Sequence, residues 1–297
     1  MKTFKPITLE DADVISKYLS RTPHRACDYS TGNLVLWANL YKTQYAVAED
    51  TLFLKFKGSS ESSFTFPMGS RCIKSSFEWL FSYCNENNKP FNMNLIEPQM
   101  FEEIEKAFPN RFDIEYKRGS ADYVYNMEDL STLKGRKYSA KRNHVNKFLK
   151  TYSDWVYERI SDENTDECIA MVKEWCVRNE CLDEMQKANE IGVVTKGLKH
   201  RKELNLLGGV IRVNKEIVAM TLGEPSNDMF IVHFEKAYPD ILGGYPMINQ
   251  QFVKNELSKY KYVNREEDMG IEGLRKAKES YYPAFMAEKG VLIKKDM

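Results

Sequence analysis

The chain has 297 residues, of which 42% are hydrophobic and 29% charged, so a core is available and wholesale disorder is excluded. Lys plus Arg equals 43 and Asp plus Glu equals 43, a formal net charge of +0. That balance excludes histone-like basic binding over the whole surface and leaves only local patches. The length suits two domains of roughly 150 residues each.

No apolar run reaches the roughly 18 residues of a membrane span; runs such as Leu34 to Trp37 or Phe230 to Val232 are strand-sized. The start, Met1-Lys2-Thr3-Phe4-Lys5-Pro6, lacks the apolar stretch of a secretory signal. A soluble, cytoplasmic protein is expected. Its cysteines (Cys27, Cys72, Cys84, Cys168, Cys176 and Cys181) form no C-x-x-C pair, and His24, His144, His200 and His233 are scattered. Reduced thiols and no metal site follow, because zinc needs four ligands gathered together.

In chain order, Thr8-x-x-Asp11 resembles a capping box and opens a short helix through Leu19. The alternating segments Thr51 to Lys57 and Ser62 to Met68 form a hairpin across Gly58-Ser59-Ser60-Glu61. Ser75-x-x-Glu78 caps a helix to about Asn87, Phe91 to Ile96 is a strand, and Pro98 suits a helix's first turn. Phe112 to Tyr116 and Tyr123 to Asn126 are further strands. The second half repeats this order: strand Trp155 to Ile160, helices around Glu167 to Arg178 and Asp183 to Leu198, then a hairpin of Leu207 to Val213 and Glu216 to Leu222 about Asn214-Lys215. Strand Met229 to Glu235, helix Tyr245 to Lys259, strand Tyr260 to Asn264, helix Ile271 to Tyr281 and strand Val291 to Lys294 complete it. The reading is a duplicated mixed α/β domain, with an N-terminal domain over 1–130, a basic helical seam over 131–153 and a C-terminal domain over 154–297.

Three segments carry chemistry-bearing residues. The seam has no Asp or Glu from Ser131 through Ser153, and at about 100° per residue Lys141 and Arg142 flank its apolar stripe of Tyr138, Val145, Phe148, Leu149 and Tyr152. Charges bordering a buried stripe need an anion, either a phosphate-bearing partner or an internal Asp or Glu. Next, Gly243 and Gly244 precede Tyr245 at a helix entry, where backbone N–H groups can face a phosphate; a turn needing positive φ at either glycine explains the pair equally well. Finally, Asn264-Arg-Glu-Glu-Asp268 stands at a strand end, followed by a helix carrying Lys276 and Lys278. His233 and Glu235 share one face of the preceding strand, so polar groups would converge if the two strands are neighbours. An Arg265 ion-pair network tying strand to helix is the plainer alternative.

The order of hairpin, strand Met229 to Glu235, Gly-Gly loop, helix and strand resembles the acyl-CoA-dependent N-acetyltransferase (GNAT) fold. More closely, Asp122-Tyr-Val-Tyr125, Leu133-Lys-Gly-Arg-Lys-Tyr138, Lys141-Arg-Asn-His144, His233-Phe-Glu-Lys-Ala237, Asn264-Arg-Glu-Glu-Asp268 and Gly273-Leu-Arg-Lys-Ala-Lys278 resemble the soluble bacterial family sharing the C-terminal domain of phosphatidylglycerol lysyltransferase. That resemblance covers nearly the whole chain and implies two tandem GNAT-like acyltransferase domains. Where GNAT enzymes bind pyrophosphate with Arg/Gln-x-x-Gly-x-Gly/Ala, this chain reads Asp240-Ile-Leu-Gly-Gly-Tyr245; the acid repels pyrophosphate and the ring blocks close approach. Gly273-Leu-Arg-Lys-Ala-Lys278 is similar to the Gly-Leu-x-x-Phe-Lys stretch of Fem-type aminoacyl transferases, with Ala277 in place of Phe. There the lysine matching Lys278 assists transfer from aminoacyl-tRNA. No heptad run for a tRNA-binding coiled-coil arm is present.

These readings imply an aminoacyl transferase using aminoacyl-tRNA as co-substrate and a small amine or hydroxyl acceptor such as a lipid headgroup, with no tightly bound cofactor. Lys141 and Arg142 would hold tRNA or headgroup phosphate, Lys278 would neutralise the ester oxygens, and Glu235 or Glu267 would take or orient the acceptor's proton beside His233. Asn264, Arg265, Asp268 and Lys276 would bind substrate. The alternatives are an acyl-CoA N-acyltransferase using Gly243, Gly244 and Tyr245, and a non-catalytic binder of an aminoacyl or polyanionic ligand.

Overall fold

The computed structural model describes residues 2–57, 62–179 and 184–295. Its elements begin with β1 (Lys5–Pro6), α1 (Ala12–Leu19), α2 (Thr31–Tyr41), β2 (Gln44–Ala48), β3 (Thr51–Lys57), β4 (Ser62–Phe64), α3 (Ile73–Glu86), β5 (Met93–Ile96), α4 (Pro98–Ala107) and β6 (Phe112–Tyr116). They continue with β7 (Asp122–Asn126), α5 (Met127–Thr132), α6 (Ser139–Thr151), β8 (Val156–Arg159), α7 (Thr165–Arg178), α8 (Glu184–Lys199), β9 (Leu207–Val213), β10 (Glu216–Ser226) and β11 (Met229–Ala237). The last are α9 (Gly244–Glu256), β12 (Tyr262–Asn264), α10 (Glu272–Glu279), β13 (Phe285–Ala287) and β14 (Gly290–Lys294). Among the described residues no helix is long and apolar enough to cross a membrane.

The fold is mixed α/β, with two seven-stranded sheets in the orders β1-β2-β3-β4-β5-β14-β6 and β13-β7-β12-β11-β10-β9-β8. The chain divides into two compact units, and the whole of the first sheet lies in the first of them. The first unit comprises Met1–Asp122, Glu267–Ile271 and Met286–Met297; the second comprises Tyr123–Glu266 and Glu272–Phe285. This partition differs from the expected 1–130, 131–153 and 154–297. The seam is no linker: Val145 and Phe148 of α6 are buried and α6 packs on α9 within the second unit. The C-terminal strand β14 inserts between β5 and β6 of the first sheet, pairing Leu292 with both Met93 and Ile114. Hydrogen-bonded strand pairing, invisible to a linear composition reading, places it there.

In the first unit the Asp11 carboxylate accepts hydrogen bonds from the Thr8 N–H at 2.9 Å and the Thr8 hydroxyl at 2.8 Å, closing the capping box before α1. The Leu34 to Trp37 run lies in α2, not in a strand. Leu34, Val35, Leu36 and Ala38 are all buried, and a helix apolar around most of its circumference has no period by which to distinguish it from a buried strand. β3 and β4 pair antiparallel through Lys55 and Phe64; the connecting 58–61 and the predicted helix start at Asp183 lie outside the described residues. In α3, Phe77, Leu80, Tyr83 and Cys84 recur at helical spacing and are buried.

In the second unit, Asn214 and Lys215 take φ of 49° and 69° and close the β9–β10 hairpin. Ile217 to Glu224 of β10 are buried without alternation, since α7 and α9 both pack on that strand. β10 and β11 pair antiparallel with a bulge at Leu222 and Gly223. A Cβ at Gly223 would stand 2.0 Å from the Ile231 carbonyl oxygen, so no side chain fits there.

Candidate functional site

β11 and β12 are parallel, and their pairing ends at Ile231 with Asn264. β11 runs on to Ala237, while the chain after β12 turns to β7. The Arg265 N–H donates to the Tyr123 carbonyl at 2.9 Å, and the Tyr123 N–H to the Glu266 carbonyl at 3.1 Å. Two neighbouring strands therefore part, and their side chains bridge the opening.

Two ion pairs span it. Glu235 Oε1 accepts from Arg265 Nη2 at 2.7 Å, and Asn249 of α9 donates to Glu235 Oε2 at 3.1 Å. Two residues back on β11, His233 lies between carboxylates, with Nδ1 at 2.8 Å from Glu266 and Nε2 at 2.8 Å from Glu224. Burial opposes an imidazolium there, but hydrogen bonds and Coulomb attraction from Glu224 and Glu266 overcome it and raise the His233 pKa to about 10. His233 is thus a doubly donating cation and holds no lone pair for a base. Lys278 Nζ donates to the carbonyls of Arg265 at 2.6 Å and Glu266 at 3.1 Å, fixing the turn that presents both side chains. Asn264 is buried and accepts from the Glu266 N–H at 2.7 Å.

The surroundings are polar but incompletely satisfied. Thr221, opposite Glu235 in the β10–β11 register, and Asn249 have buried oxygens (Oγ1 and Oδ1) without hydrogen-bond partners among the described residues, a costly state unless something polar meets them. Tyr125 and Tyr281 place their rings 5.8 and 4.8 Å from the Arg265 guanidinium.

The structure gathers Glu235, His233, Asn264, Arg265 and Lys278 at this opening, sets Lys141 beside it across the Tyr281 ring, and disperses the other sequence candidates. Lys141 Nζ stands 4.1 Å from the Tyr281 ring centroid. Arg142 donates to the carbonyls of Leu133, by a short contact, and Gly135, at 2.6 Å, so it caps α5 and does not await a phosphate. Lys276 is exposed and pairs with Glu272 one helical turn away at 2.5 Å, a solvated pair of little consequence. Glu267 and Asp268 belong to the first unit. Asp268 is buried, 3.3 Å from Arg118, and accepts from the Gly270 N–H at 2.8 Å.

Glu267 joins a second buried cluster, wholly within the first unit. Lys289 Nζ lies 2.6 Å from Glu267, 2.7 Å from Asp28, 2.9 Å from Asp122 and 4.0 Å from the Cys27 sulfur. The thiol and three carboxylates lie within 4.8 Å of one another, a donor set suited to a metal ion, and the ammonium occupies its centre. Burial, partly offset by Lys289, pushes Glu267 up to about 7, with Asp28 and Asp122 adding repulsion. Lys289, Glu224 and Asn249 carried weak sequence signals. Glu224 interrupts an apolar strand, and Asn249 sits on the buried face of α9 between Ile248 and Phe252.

The glycine loop is built for packing. Gly243 has φ 78°, and a Cβ on it would stand 2.4 Å from the His144 carbonyl oxygen of α6. The Gly244 N–H is bonded to the Ile241 carbonyl at 3.0 Å, and Pro246 has no N–H. The first turn of α9 thus lacks most of the amide donors a pyrophosphate would need. Asp240 pairs with Arg178 at 3.1 Å, and the Tyr245 hydroxyl accepts from Trp175 Nε1 at 3.0 Å.

Two mixed sheets, one opened between parallel strands above a helix, define a tandem GNAT-like protein, the fold shared with FemX (TM-score 0.54, 10% identity, 97% of this chain and 96% of that one). The chain belongs to the family described as phosphatidylglycerol lysyltransferase, C-terminal, whose model matches residues 19–289. A conserved protein of unknown function from Bacteroides thetaiotaomicron VPI-5482 is similar over its full length, with TM-score 0.93, 40% identity and coverage of 99% of this chain and 100% of that one. L-PGS from Bacillus licheniformis shares the fold at TM-score 0.66 and 14% identity, over 96% of this chain and 92% of that one. An uncharacterized protein of Mycoplasmoides gallisepticum is 24% identical over 187 residues, 61% of this chain and 58% of that protein. This chain thus spans 58% of the length of that relative.

Proposed function

We propose that this chain transfers an aminoacyl group from aminoacyl-tRNA to an amine or hydroxyl acceptor at the opening between β11 and β12. Membership of the lysyltransferase family supports the reaction class. The observation that carries the reading is the pair of ionic bridges across parted strands, Glu235 to Arg265 and His233 to Glu266, beside buried polar oxygens without partners. Glu235, held by Arg265 and Asn249, orients the acceptor by accepting its hydrogen bond. His233 positions Glu266 and, with both nitrogens donating, is a positioning residue. Lys278 fixes the Arg265–Glu266 turn and lends positive charge to the ester oxygens as the tetrahedral intermediate forms. The tRNA would be drawn to exposed seam cations such as Arg136, Lys147 and Lys150 by charge and counterion release.

The test is transfer from a tRNA pool charged with a radiolabelled amino-acid mixture, offered glycinamide or phosphatidylglycerol vesicles as acceptor. Label passing to either acceptor with the wild type, and reduced on the order of 100-fold or more by Lys278→Ala, is the expected result. Label that leaves tRNA no faster than in buffer overturns the reading. Calorimetry with acetyl-CoA comes first, because micromolar binding would favour the acyl-CoA alternative against the geometry of Gly243 and Pro246.

A further inference from the structure

Neither carboxylate expected to take the acceptor's proton is well placed to do so. Glu235 has one oxygen bonded to a guanidinium and the other to an amide, and Glu267 is paired with Lys289 in the other unit. A different side chain of the second unit has the required surroundings. Lys141, on α6, is half-buried, lies against the Tyr281 ring and has no carboxylate in ion-pair range among the described residues. The same Tyr281 ring stands 4.8 Å from the Arg265 guanidinium, which holds Glu235 at 2.7 Å, so Arg265 and Glu235 are the charged groups nearest to Lys141 across that ring. Tyr281 is itself held neutral by burial. On its own helix Arg142 is bonded to the carbonyls of Leu133 and Gly135, and just before the helix Lys137 stands 3.8 Å from Asp129.

We infer that Lys141 is the general base of the transfer, its neutral amine touching the nucleophilic N–H or O–H of the acceptor. This rests on the aminoacyl-transfer reading and deepens it. As the acceptor's nitrogen or oxygen forms its bond to the ester carbonyl carbon, its proton passes to Lys141 Nζ. When the carbonyl–oxygen bond to the tRNA ribose breaks, the electron pair stays on the ribose oxygen, and the Lys141 ammonium returns the proton there. Amide or ester and free tRNA hydroxyl are the products, and Lys141 is neutral again. Burial, then repulsion from Arg265, lowers the Lys141 pKa to about 8, with Glu235 partly opposing, so an appreciable fraction is neutral near physiological pH.

Competitive acetic anhydride labelling of the full chain from pH 6 to 11, read lysine by lysine by mass spectrometry, tests this without any variant. The expected labelling midpoint for Lys141 is near pH 8, with free lysine peptides added as internal references near the ordinary lysine value of about 10.4. A Lys141 midpoint among those references overturns the inference. In the transfer assay, Lys141→Arg keeps the charge but cannot deprotonate. It should lose roughly 10²–10⁴-fold in rate while binding charged tRNA as the wild type does, and the wild-type rate should climb with pH through about 8. Wild-type transfer by Lys141→Arg overturns the base role even if the labelling midpoint is low. A low midpoint in a wild type that transfers nothing overturns the aminoacyl reading, and the base role with it.

Discussion

Lys289 and Lys141 are both removed from water, in different units, and their surroundings send them in opposite directions. Burial alone disfavours an ammonium, and at Lys141, with Arg265 close by, the pKa falls to about 8. At Lys289 burial is complete, yet Asp122, Asp28, Cys27 and Glu267 overcome it and hold the charge far more firmly than in water. The comparison separates two uses of a buried cation. One caged by carboxylates joins distant parts of the chain: Asp28 follows α1, Asp122 opens β7, Glu267 follows β12, and Lys289 precedes β14. One left without a carboxylate remains able to lose its proton.

The largest effect should come from emptying the cage. Lys289→Met leaves a buried Asp122 and the half-buried Asp28 and Glu267 without the Lys289 ammonium, so guanidinium unfolding should show a loss of about 3–5 kcal/mol. A variant as stable as the wild type would show that the cage contributes no net stability. Gly243→Ala comes next, because it places a Cβ against the His144 carbonyl at a φ of 78°; about 1–3 kcal/mol of destabilisation is expected in the same measurement. If the loop instead existed to cradle an anion, the alanine variant would keep its stability and lose ligand binding.

The caged histidine makes a pH prediction whose sign is opposite to that for Lys141. The His233 pKa is raised from about 6.5 to about 10 in the folded chain. Its stabilisation is therefore fully present below pH 6.5 and is lost as pH rises towards 10, with a slope of up to about 1.4 kcal/mol per pH unit. Glu224→Gln removes one of its two carboxylates and should flatten that slope relative to wild type in denaturation curves taken from pH 6.5 to 10. An unchanged slope would mean that His233 is not held as a cation by Glu224.

What the sequence disclosed follows the range of the interactions concerned. Strand alternation, the Asn214-Lys215 turn and the Thr8–Asp11 cap are local, and β3, β6 and β9 have the residues that periodicity assigns. The convergence of His233 and Glu235 with Arg265 was legible because it needed only the alternation of one strand and an assumption about its neighbour. The partners that decide the chemistry were not. Glu224 reaches His233 across a bulge, Asn249 reaches Glu235 from a helix, and Lys289 meets Asp28 from 261 residues away. Arg142 shows the same limit from the other side. A basic side chain beside an apolar stripe requires an electron-rich partner, and composition could not reveal that backbone carbonyls at the end of α5 supply it.

The smallest stability effect should be at the uncaged lysine. Lys141→Met removes a charge that faces Arg265 and replaces it with a flexible apolar chain suited to the Tyr281 ring. Near pH 7 the variant should lose less than about 0.5 kcal/mol or gain stability, since the penalty on the part-buried ammonium goes with it and no carboxylate loses its only partner. The pH dependence supplies the sharper test. Lys141 binds its proton less tightly folded than unfolded, so its penalty is present below about pH 8 and is relieved as pH rises to the ordinary lysine value of 10.5. Against Lys141→Met, the wild type should therefore gain relative stability over that window, the reverse of the His233 contribution measured against Glu224→Gln. A loss as large as that of Lys289→Met would show that Lys141 has a carboxylate partner after all. Its ammonium would then be held too firmly to take a proton from any acceptor, and the two lysines would no longer stand as opposites.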